Sequence, residues 1–255
     1  MLLAVDAGNT HIVLGCMEGG SLLFTARVST DRNKTADEYA LVFRNLCELH
    51  GVDRHSAEGA VIASVVSELT DVLRAAVEKI IHKTPIMVGA GIKTGVNIKI
   101  DDPGQLGADL VVGAVAATAK YPKPLIIFDL GTADTMSVID GDGRFLGGAI
   151  MAGPRLSVDA LASRTSQLPR IHLDVPGKVV CGNTVAAMQS GAIYGHAAML
   201  DGLIDRVETE LGQPMAAVVA TGGLSPLVIP LCRREIHVEE NLMLQGLKLI
   251  YDKNK

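Results

Sequence analysis

Aromatic residues are scarce in this sequence, and their scarcity limits how its core can be built. The 255-residue chain has no tryptophan, and aromatic residues make up only 3% of it. The core must therefore consist mainly of Ala, Val, Ile and Leu, as is typical of sheets that are covered by helices. A chain of this length can bury a large core, in one large domain or in two of ordinary size.

An excess of positive charge, long apolar runs and closely spaced cysteines are also absent. With a net charge of −5 and a pI near 5.8, the chain has no net positive charge that would attract nucleic acid or an anionic membrane. No apolar stretch reaches membrane-spanning length, and the apolar first residues lack the basic segment of a signal peptide. The four cysteines show no CxxC spacing, which favours reduced thiols in a reducing compartment. We therefore expect a cytoplasmic protein without nucleic-acid or membrane partners.

One short pattern occurs twice in the chain. The segment LLAVDAGNT lies at residues 2–10, and LIIFDLGTADT lies at residues 125–135. In each copy an apolar run long enough for a buried strand ends at an aspartate, Asp6 or Asp129, and a glycine follows two residues later. Glycine lets backbone N–H groups approach an anion, and the following Asn or Thr completes the cradle. The repeated pattern predicts two phosphate-binding turns and therefore a phosphoryl-transfer enzyme.

The residues after the first copy predict a domain with the element order β-β-β-α-β-α-β. Thr35 and Glu38 form a capping box, which is typical of a helix start, and Ser67 is placed to cap a second helix. Apolar residues recur at helical spacing after Ser67 and predict one buried stripe. The elements expected after the first strand are hairpin strands at residues 12–17 and 22–28, a helix that runs to His50, a strand at residues 59–65, the helix after Ser67 and a strand at residues 85–88.

The second half begins in the same way, which indicates duplicated domains. Residues 103–120 connect the halves, and their Ala- and Val-rich end predicts a helix. The expected fold class is α/β, with two duplicated domains and a cleft between them. The elements expected in this half are strands at residues 125–130, 135–139, 144–150 and 217–220, a short strand near Ile236, and helices at residues 154–162, after Gly182 and at residues 239–251.

Further segments extend the match to a known family over essentially the whole chain. They are DAGNT at 6–10, DPGQLGAD at 102–109, DLGTADT at 129–135, the SVDAL…LP run at 157–169, GNTVAAMQSGAIYGH at 182–196, ATGGL at 220–224 and NLMLQGLKLIY at 241–251. With the duplicated plan, they resemble the actin, sugar-kinase and Hsp70 superfamily and, more narrowly, the type III pantothenate kinases. The resemblance implies two ribonuclease-H-like domains of the actin and hexokinase type, which we place at residues 1–115 and 116–255.

The resemblance also implies an activity. Enzymes of this family use ATP to phosphorylate the 4′-hydroxyl of pantothenate, the first step of coenzyme A biosynthesis. Mg²⁺ and a monovalent cation, K⁺ or NH₄⁺, would assist the transfer. A homodimer is implied as well, with the acceptor pocket near the subunit interface.

Candidate nucleotide contacts lie at both turns and at the late Thr-Gly-Gly. Backbone N–H groups of the first turn would cradle the phosphates, and Asp6 would bind Mg²⁺ directly or through water, although a simple turn after a strand is the alternative. The resemblance implies that Asp129 binds the monovalent cation. The Thr-Gly-Gly segment would seat adenosine, unless it only ends a strand. The candidate nucleotide contacts are Asp6, Ala7, Gly8, Asn9, Thr10, His11, Ile12, Val13, Thr132, Gly222 and Gly223.

Asp109 is the candidate catalytic base. It would accept the proton of the attacking hydroxyl, although a carboxylate at a helix start is also stabilised by the helix dipole. The resemblance implies that the neighbouring Gly107, Ala108 and Leu110 contact the substrate together with Asp109. Thr184 is a further candidate substrate contact, and the alternative is that it caps the long helix that follows Gly182.

Four positions depart from the family pattern. Leu110 lies where an arginine usually follows the catalytic aspartate, and losing such a charge-assisted contact costs about 1.5–3 kcal/mol of binding. Ile100 replaces a common tyrosine and Ala152 replaces a proline. Asp134 replaces a threonine and adds negative charge beside the second turn.

These departures leave three hypotheses open. The first is an active pantothenate kinase. The second is a kinase of the same fold that acts on another small hydroxyl compound, because Leu110 and Ile100 both lie on the acceptor side. The third is a weak or inactive nucleotide-binding paralogue with a regulatory or accessory role, against which the retained Asp109 argues.

Overall fold

The first strand lies at the centre of a five-stranded sheet because nearly all of its side chains are apolar and buried. In the computed structural model, which describes all 255 residues, β1 (Leu2–Ala7) pairs antiparallel with β2 (His11–Glu18) and parallel with β4 (Gly59–Ser64). The hairpin continues from β2 to β3 (Ser21–Ser29), and β5 (Ile86–Met87) pairs with β4. The strand order is β3-β2-β1-β4-β5.

The second sheet repeats this arrangement. Its strands are β6 (Asn97–Ile98), β7 (Leu125–Leu130), β8 (Ala133–Ile139), β9 (Arg144–Ala152), β10 (Ala217–Thr221) and β11 (His237–Val238). In the order β11-β10-β7-β8-β9-β6, strand β7 pairs antiparallel with β8 and parallel with β10, as β1 does with β2 and β4. Only β6, which is parallel to β9, has no counterpart in the first sheet. The equivalent order confirms the predicted α/β fold with duplicated halves.

The helices cover the predicted segments, but one predicted cap is wrong. They are α1 (Ala36–Leu49), α2 (Ser67–Ile81), α3 (Ala108–Lys120), α4 (Pro154–Arg164), α5 (Thr184–Leu211), α6 (Ser225–Val228) and α7 (Leu242–Asn254), with 3-10 turns at Arg54–Ser56, Pro103–Gln105 and Ile229–Leu231. The predicted capping box of Thr35 and Glu38 is present. Ser67 does not cap α2, because it is already the first helical residue and the N-cap is Val66. None of the helices, including the 28-residue α5, is long and apolar enough to cross a membrane.

The chain forms two units that interleave along the sequence. Unit 1 contains Met1–Val96, Asp101–Ala119 and Asn241–Lys255, and unit 2 contains Asn97–Ile100 and Lys120–Glu240. Each sheet has its own core, in which aliphatic residues from both the sheet and the helices pack together. The domain limits of 1–115 and 116–255 remain a prediction, and they differ from these units chiefly at α7, which packs in unit 1.

Helix α7 packs against the first sheet because glycines allow a close approach. A side chain at Gly15 of β2 would lie 2.6 Å from Leu244, and one at Gly59 of β4 would overlap the ring of Tyr251. On α7 itself, a Cβ at Gly246 would overlap the backbone carbonyl of Val112 in α3. A backbone atom cannot move aside as a flexible side chain can, so this contact requires glycine.

We expect Gly246→Ala to destabilise unit 1 by about 1–3 kcal/mol, because the added methyl group overpacks the contact with α3. Equilibrium denaturation in urea measures this change. The control is Gly195→Ala in α5, where an added Cβ meets nothing within 4 Å. The control should leave stability unchanged or raise it by up to about 1 kcal/mol. Equal effects of the two substitutions would show that the α7 contact does not require glycine.

Candidate active site

The first of the two predicted phosphate turns, at residues 6–10, lies at the carboxyl end of β1, next to the carboxyl end of β4. Asp6 is paired with Val13 of β2 and with Ala63 of β4. The Gly8 N–H donates to the His11 carbonyl oxygen at 3.0 Å and closes the turn. The carboxyl ends of strands in open α/β sheets are where ligands commonly bind. The turn is therefore well placed to bind phosphate.

Thr30, just after β3, holds this turn in position. Its hydroxyl donates to the Gly8 carbonyl oxygen at 2.6 Å, and its backbone N–H donates to the Thr10 carbonyl oxygen at 3.0 Å. Two carbonyl groups of the turn are thus hydrogen-bonded to Thr30. The turn conformation is therefore set by the fold before any ligand binds.

The predicted contacts of the first turn differ in what they can offer a nucleotide. The side chains of Ala7 and Ile12 are buried in the core of the sheet, so these two residues can reach a ligand only through their backbone. Asn9, Thr10 and His11 are exposed. Burial and the charge of Arg27 lower the pKa of His11, which favours its neutral form.

The second phosphate turn occupies the equivalent position in unit 2. Asp129 of β7 is paired with Thr135 of β8 and with Thr221 of β10. The residue after β10, Gly222, has a φ of +95°, and a Cβ there would lie 2.6 Å from the Asp129 Oδ1 atom. The fold therefore brings the predicted cation ligand and the predicted adenosine corner together, and only glycine suits this position.

Asp134 is the most unusual residue near this turn. Its side chain has 0% exposure, and its oxygens accept no hydrogen bond of normal geometry. Burial and the neighbouring charge of Asp129 raise the pKa of Asp134 to about 7, although the nearby Gly131 N–H partly offsets this rise. The carboxyl group is therefore partly protonated near neutral pH. The negative charge that it adds beside the turn is smaller than the sequence alone implies.

His196 of α5 lies beside Asp134 and was not foreseen from the sequence. Its Nε2 atom is 3.8 Å from the Asp134 Oδ2 atom and 3.0 Å from the Ala152 carbonyl oxygen. The spacing of Thr184, Met188 and His196 along one helix could have revealed that they share a face. No such signal links position 196 to position 134, because their contact joins a helix to a strand.

A cavity of about 610 Å³ between α4 and α5 includes Thr184 in its lining. The lining is mostly apolar, with Ser157, Thr184 and His196 as its polar residues. Thr184 is the first residue of α5, and the N-cap is Asn183, whose side chain accepts a hydrogen bond from the Ala186 N–H at 2.9 Å. The alternative role of Thr184 as the helix cap is therefore wrong.

Asp109 lies in the first turn of α3, at the helix start that the sequence predicts, and its side chain is half-buried. Burial raises the pKa of Asp109, while the Leu110 N–H, which donates to its Oδ1 atom at 2.8 Å, and its own N–H lower it in part. A Cβ at Gly107 would overlap the same Oδ1 atom. Gly107 therefore leaves the space in which the carboxylate lies.

The duplicated fold, with a turn at the equivalent strand end of each half, is similar to the fold of solved kinase structures. A ROK family glucokinase from Streptomyces griseus superposes with a TM-score of 0.51 at 17% identity, covering 98% of both chains. A Campylobacter jejuni structure described as a Baf family transcriptional activator superposes with a TM-score of 0.59 at 16% identity, covering 99% of this chain and 98% of the other. At such identities these likenesses show the fold alone, and they confirm the ribonuclease-H-like class.

Sequence relatives identify the family. The family model described as type III pantothenate kinase matches residues 2–206. Proteins named type III pantothenate kinase from an Exiguobacterium species and from Shouchella clausii are 44% and 43% identical, and each match covers 100% of both chains. A third, from Moorella thermoacetica, is 43% identical with the same coverage. The chain belongs to the type III pantothenate kinase family.

We expect Asp134→Asn to raise stability more at pH 8 than at pH 5. The raised pKa means that the folded protein holds a proton that the unfolded chain loses above its ordinary pKa of 3.8, so stability falls between that pH and about 7. Asparagine does not titrate. The gain in the free energy of unfolding from Asp134→Asn should therefore be about 2 kcal/mol larger at pH 8 than at pH 5. Denaturation at both pH values measures it. Asp159→Asn, on an exposed position of α4, is the control, and a pH-independent effect of Asp134→Asn would contradict the prediction.

We expect Gly107→Ala to lower kcat about 100-fold or more if Asp109 is the base, because the new methyl group displaces its carboxylate. Gly113→Ala, in the helix that carries Asp109, is the control, since its added Cβ makes only an ordinary contact at 3.8 Å with Met243. A coupled assay of ATP turnover with pantothenate compares both with Asp109→Ala. Full activity of Asp109→Ala would remove Asp109 from the base role.

Proposed function

We propose that this protein transfers the γ-phosphoryl group of ATP to the 4′-hydroxyl of pantothenate, the first step of coenzyme A biosynthesis. The observation that carries the proposal is the match along the complete chain, at 43–44% identity, to relatives named type III pantothenate kinases. That match includes both phosphate turns and the segment that contains Asp109.

The two turns would divide the work of binding ATP. The first turn would cradle phosphate oxygens through its backbone N–H groups and the Asn9 and Thr10 side chains. Thr132 would contact ATP at the second turn, and Gly222 and Gly223 would seat the adenosine. The support for this assignment is the equivalent placement of the two turns at the carboxyl ends of β1 and β7. Donors that are already in place stabilise developing charge without having to reorganise.

The oxygen atoms around both turns fit hard cations. The Asp129 Oδ1 atom and the Leu130 carbonyl oxygen both lie against the space that a Gly222 side chain would fill. Carboxylate and carbonyl oxygens suit K⁺ or NH₄⁺ at this place, and Asp6 would hold Mg²⁺ directly or through water. A site with one carboxylate, completed by water and phosphate oxygens, is usual for Mg²⁺. When bound, these cations offset the negative charge of the phosphates.

Asp109 would act as the general base. As the acceptor hydroxyl attacks the γ-phosphorus, its O–H bond breaks and its proton passes to the Asp109 carboxylate, while ADP leaves with the electrons of the broken P–O bond. Burial, which raises the pKa of Asp109, makes it a better proton acceptor near neutral pH. The carboxylate is only half-buried, so a substrate hydroxyl can reach it.

A second acceptor is favoured by one observation, the leucine at position 110. Leucine cannot replace the fork of donors by which arginine binds a carboxylate such as that of pantothenate. Gly107, Ala108 and Leu110 would still line the acceptor side, and Thr184 would contribute its hydroxyl. Because Leu110 replaces that arginine, this site would suit a small hydroxyl compound without a carboxylate better than the usual family site would.

A homodimer is part of the proposal, and the cytoplasm, where ATP is available, is the expected compartment. Apolar side chains of unit 2 support self-association, because Ile150 is 77% exposed and Val180 is 83% exposed, with Leu156, Leu161 and Val185 also on the surface. Exposed apolar residues in such numbers often mark a protein interface. The oligomeric state can be measured by sedimentation equilibrium.

We expect the wild type to turn over ATP in the presence of pantothenate and K⁺, and Leu110→Arg to lower the KM for pantothenate about tenfold or more, because a charge-assisted contact is restored. The measurement is a coupled ATP-turnover assay with and without K⁺. Leu110→Met is the matched control, because it keeps an apolar side chain of similar size and should not change the KM.

The result separates the candidate functions. Turnover by wild type supports the pantothenate kinase. Turnover only after Leu110→Arg would sink that proposal for the natural chain and would favour a different acceptor. Nucleotide binding without turnover by either protein would favour a nucleotide-binding accessory role.

A further inference from the structure

Arg32 lies outside all of the predicted site residues, yet its side chain is held against the first phosphate turn. The Arg32 Nη2 atom donates a hydrogen bond to the Asn9 Oδ1 atom at 3.0 Å. Asn9 is at the exposed tip of the turn, and Arg32 is exposed as well. The guanidinium therefore borders the space in which a ligand of this turn would lie.

The backbone that carries Arg32 is fixed on its N-terminal side. Tyr39 has 0% exposure, and its hydroxyl donates to the Asp31 carbonyl oxygen at 2.8 Å and accepts from the Asp31 N–H at 2.9 Å. Thr30, one residue earlier, is hydrogen-bonded to Gly8 and Thr10 of the turn. A buried aromatic residue and the turn itself thus fix the backbone that leads into Arg32. This reduces the conformational entropy that Arg32 loses when it binds a ligand.

The hydrogen bond also orients the Asn9 side chain. Because the amide oxygen of Asn9 accepts from Arg32, its NH₂ group is directed away from the guanidinium and can donate to another acceptor. An arginine has five N–H donors, and this hydrogen bond uses one of them. The pair therefore presents donors without a competing acceptor, which is what a phosphate group requires.

Arg32 forms none of the ion pairs of the protein, so its charge is not neutralised by a carboxylate within 4.0 Å. Its influence extends to the start of α2. The pKa of Glu68 is lowered chiefly by its own N–H and by the Ser67 hydroxyl, and also by the charge of Arg32. A cation with a fixed base and without an ionic partner is suited to an anionic ligand.

We propose that Arg32 and Asn9 form a clamp that binds the polyphosphate of ATP at the first turn, with Arg32 as the residue that distinguishes a polyphosphate from a monophosphate. The inference rests on the proposed ATP-dependent function. Arg32 donates to the outer phosphate oxygens and neutralises part of their charge, while Asn9 donates through its amide NH₂ group. Arg32 is thus a binding residue for the nucleotide and takes no part in proton transfer.

The test is isothermal titration calorimetry of the full-length protein with ATP, ADP and AMP, without an acceptor. We expect Arg32→Gln to weaken ATP binding roughly 10- to 100-fold and to change AMP binding by about twofold at most. Arg32→Lys should recover part of the ATP affinity, since it keeps the charge but not the planar fork of donors. Arg74→Gln, at an exposed arginine of α2 that pairs with Asp71, is the matched control and should bind ATP as the wild type does.

A double-mutant cycle with Asn9→Ala tests the clamp itself. If the two side chains act together, the loss in Arg32→Gln plus Asn9→Ala should be smaller than the product of the two separate fold-losses. Unchanged ATP binding by Arg32→Gln would overturn the proposal. An equal loss of ATP and AMP would also overturn it, because that pattern reports a distorted turn.

These titrations are independent of the acceptor. If ATP binding depends on Arg32 but pantothenate is not turned over, this inference stands and the proposed acceptor fails. If the protein turns over pantothenate and Arg32→Gln does not raise the KM for ATP, the proposed function stands and this inference fails.

Discussion

The parallel pairing of β1 with β4, and of β7 with β10, is the constraint on which both phosphate turns depend. Parallel strands end at the same edge of a sheet, so the turn after β1 lies beside the end of β4. In unit 2 the same pairing sets Gly222, just after β10, against the Asp129 carboxylate. Strands β4 and β10 are apolar and buried along nearly their whole length, as parallel strands covered on both faces must be.

Burial affects two carboxyl groups to different degrees and with different consequences. Burial raises the pKa of both Asp109 and Asp134. Asp109 keeps some exposure and accepts a hydrogen bond from the Leu110 N–H, so its carboxylate remains within reach of solvent. Asp134 has no exposure and no hydrogen bond of normal geometry, with a second carboxylate close by. Its energetic cost must be offset by the surrounding fold.

Local features of the fold could be predicted from the sequence because they depend on neighbouring residues. Strand β7 has its predicted limits of residues 125–130, since an apolar run that only Asp129 interrupts ends at the second turn. The capping box of α1 is likewise formed by residues three apart. The family match then supplied candidate roles for Asp109 and Thr184, which spacing alone could not.

Contacts between distant parts of the chain could not be predicted. His196 meets Asp134 across 62 positions, and Arg32 meets Asn9 across 23. Neither contact follows a helical or strand period, so no local pattern indicates it. The N-cap of α5 was missed for a smaller reason: Asn183 and Thr184 are both good caps, and only the backbone conformation decides which residue precedes the helix.

The packing of α7 on the first sheet has a consequence for how the chain is made. Unit 1 draws its sheet from the beginning of the sequence, but the helix that covers β1 and β4 follows the whole of unit 2. As the ribosome extends the chain, the face of the first sheet that α7 covers stays exposed while more than a hundred further residues emerge, although α1 and α2 are already available to pack in the core of unit 1. Unit 2, apart from its short β6 strand, is contiguous and can fold as soon as it is released. Unit 1 is therefore begun before unit 2 and completed after it.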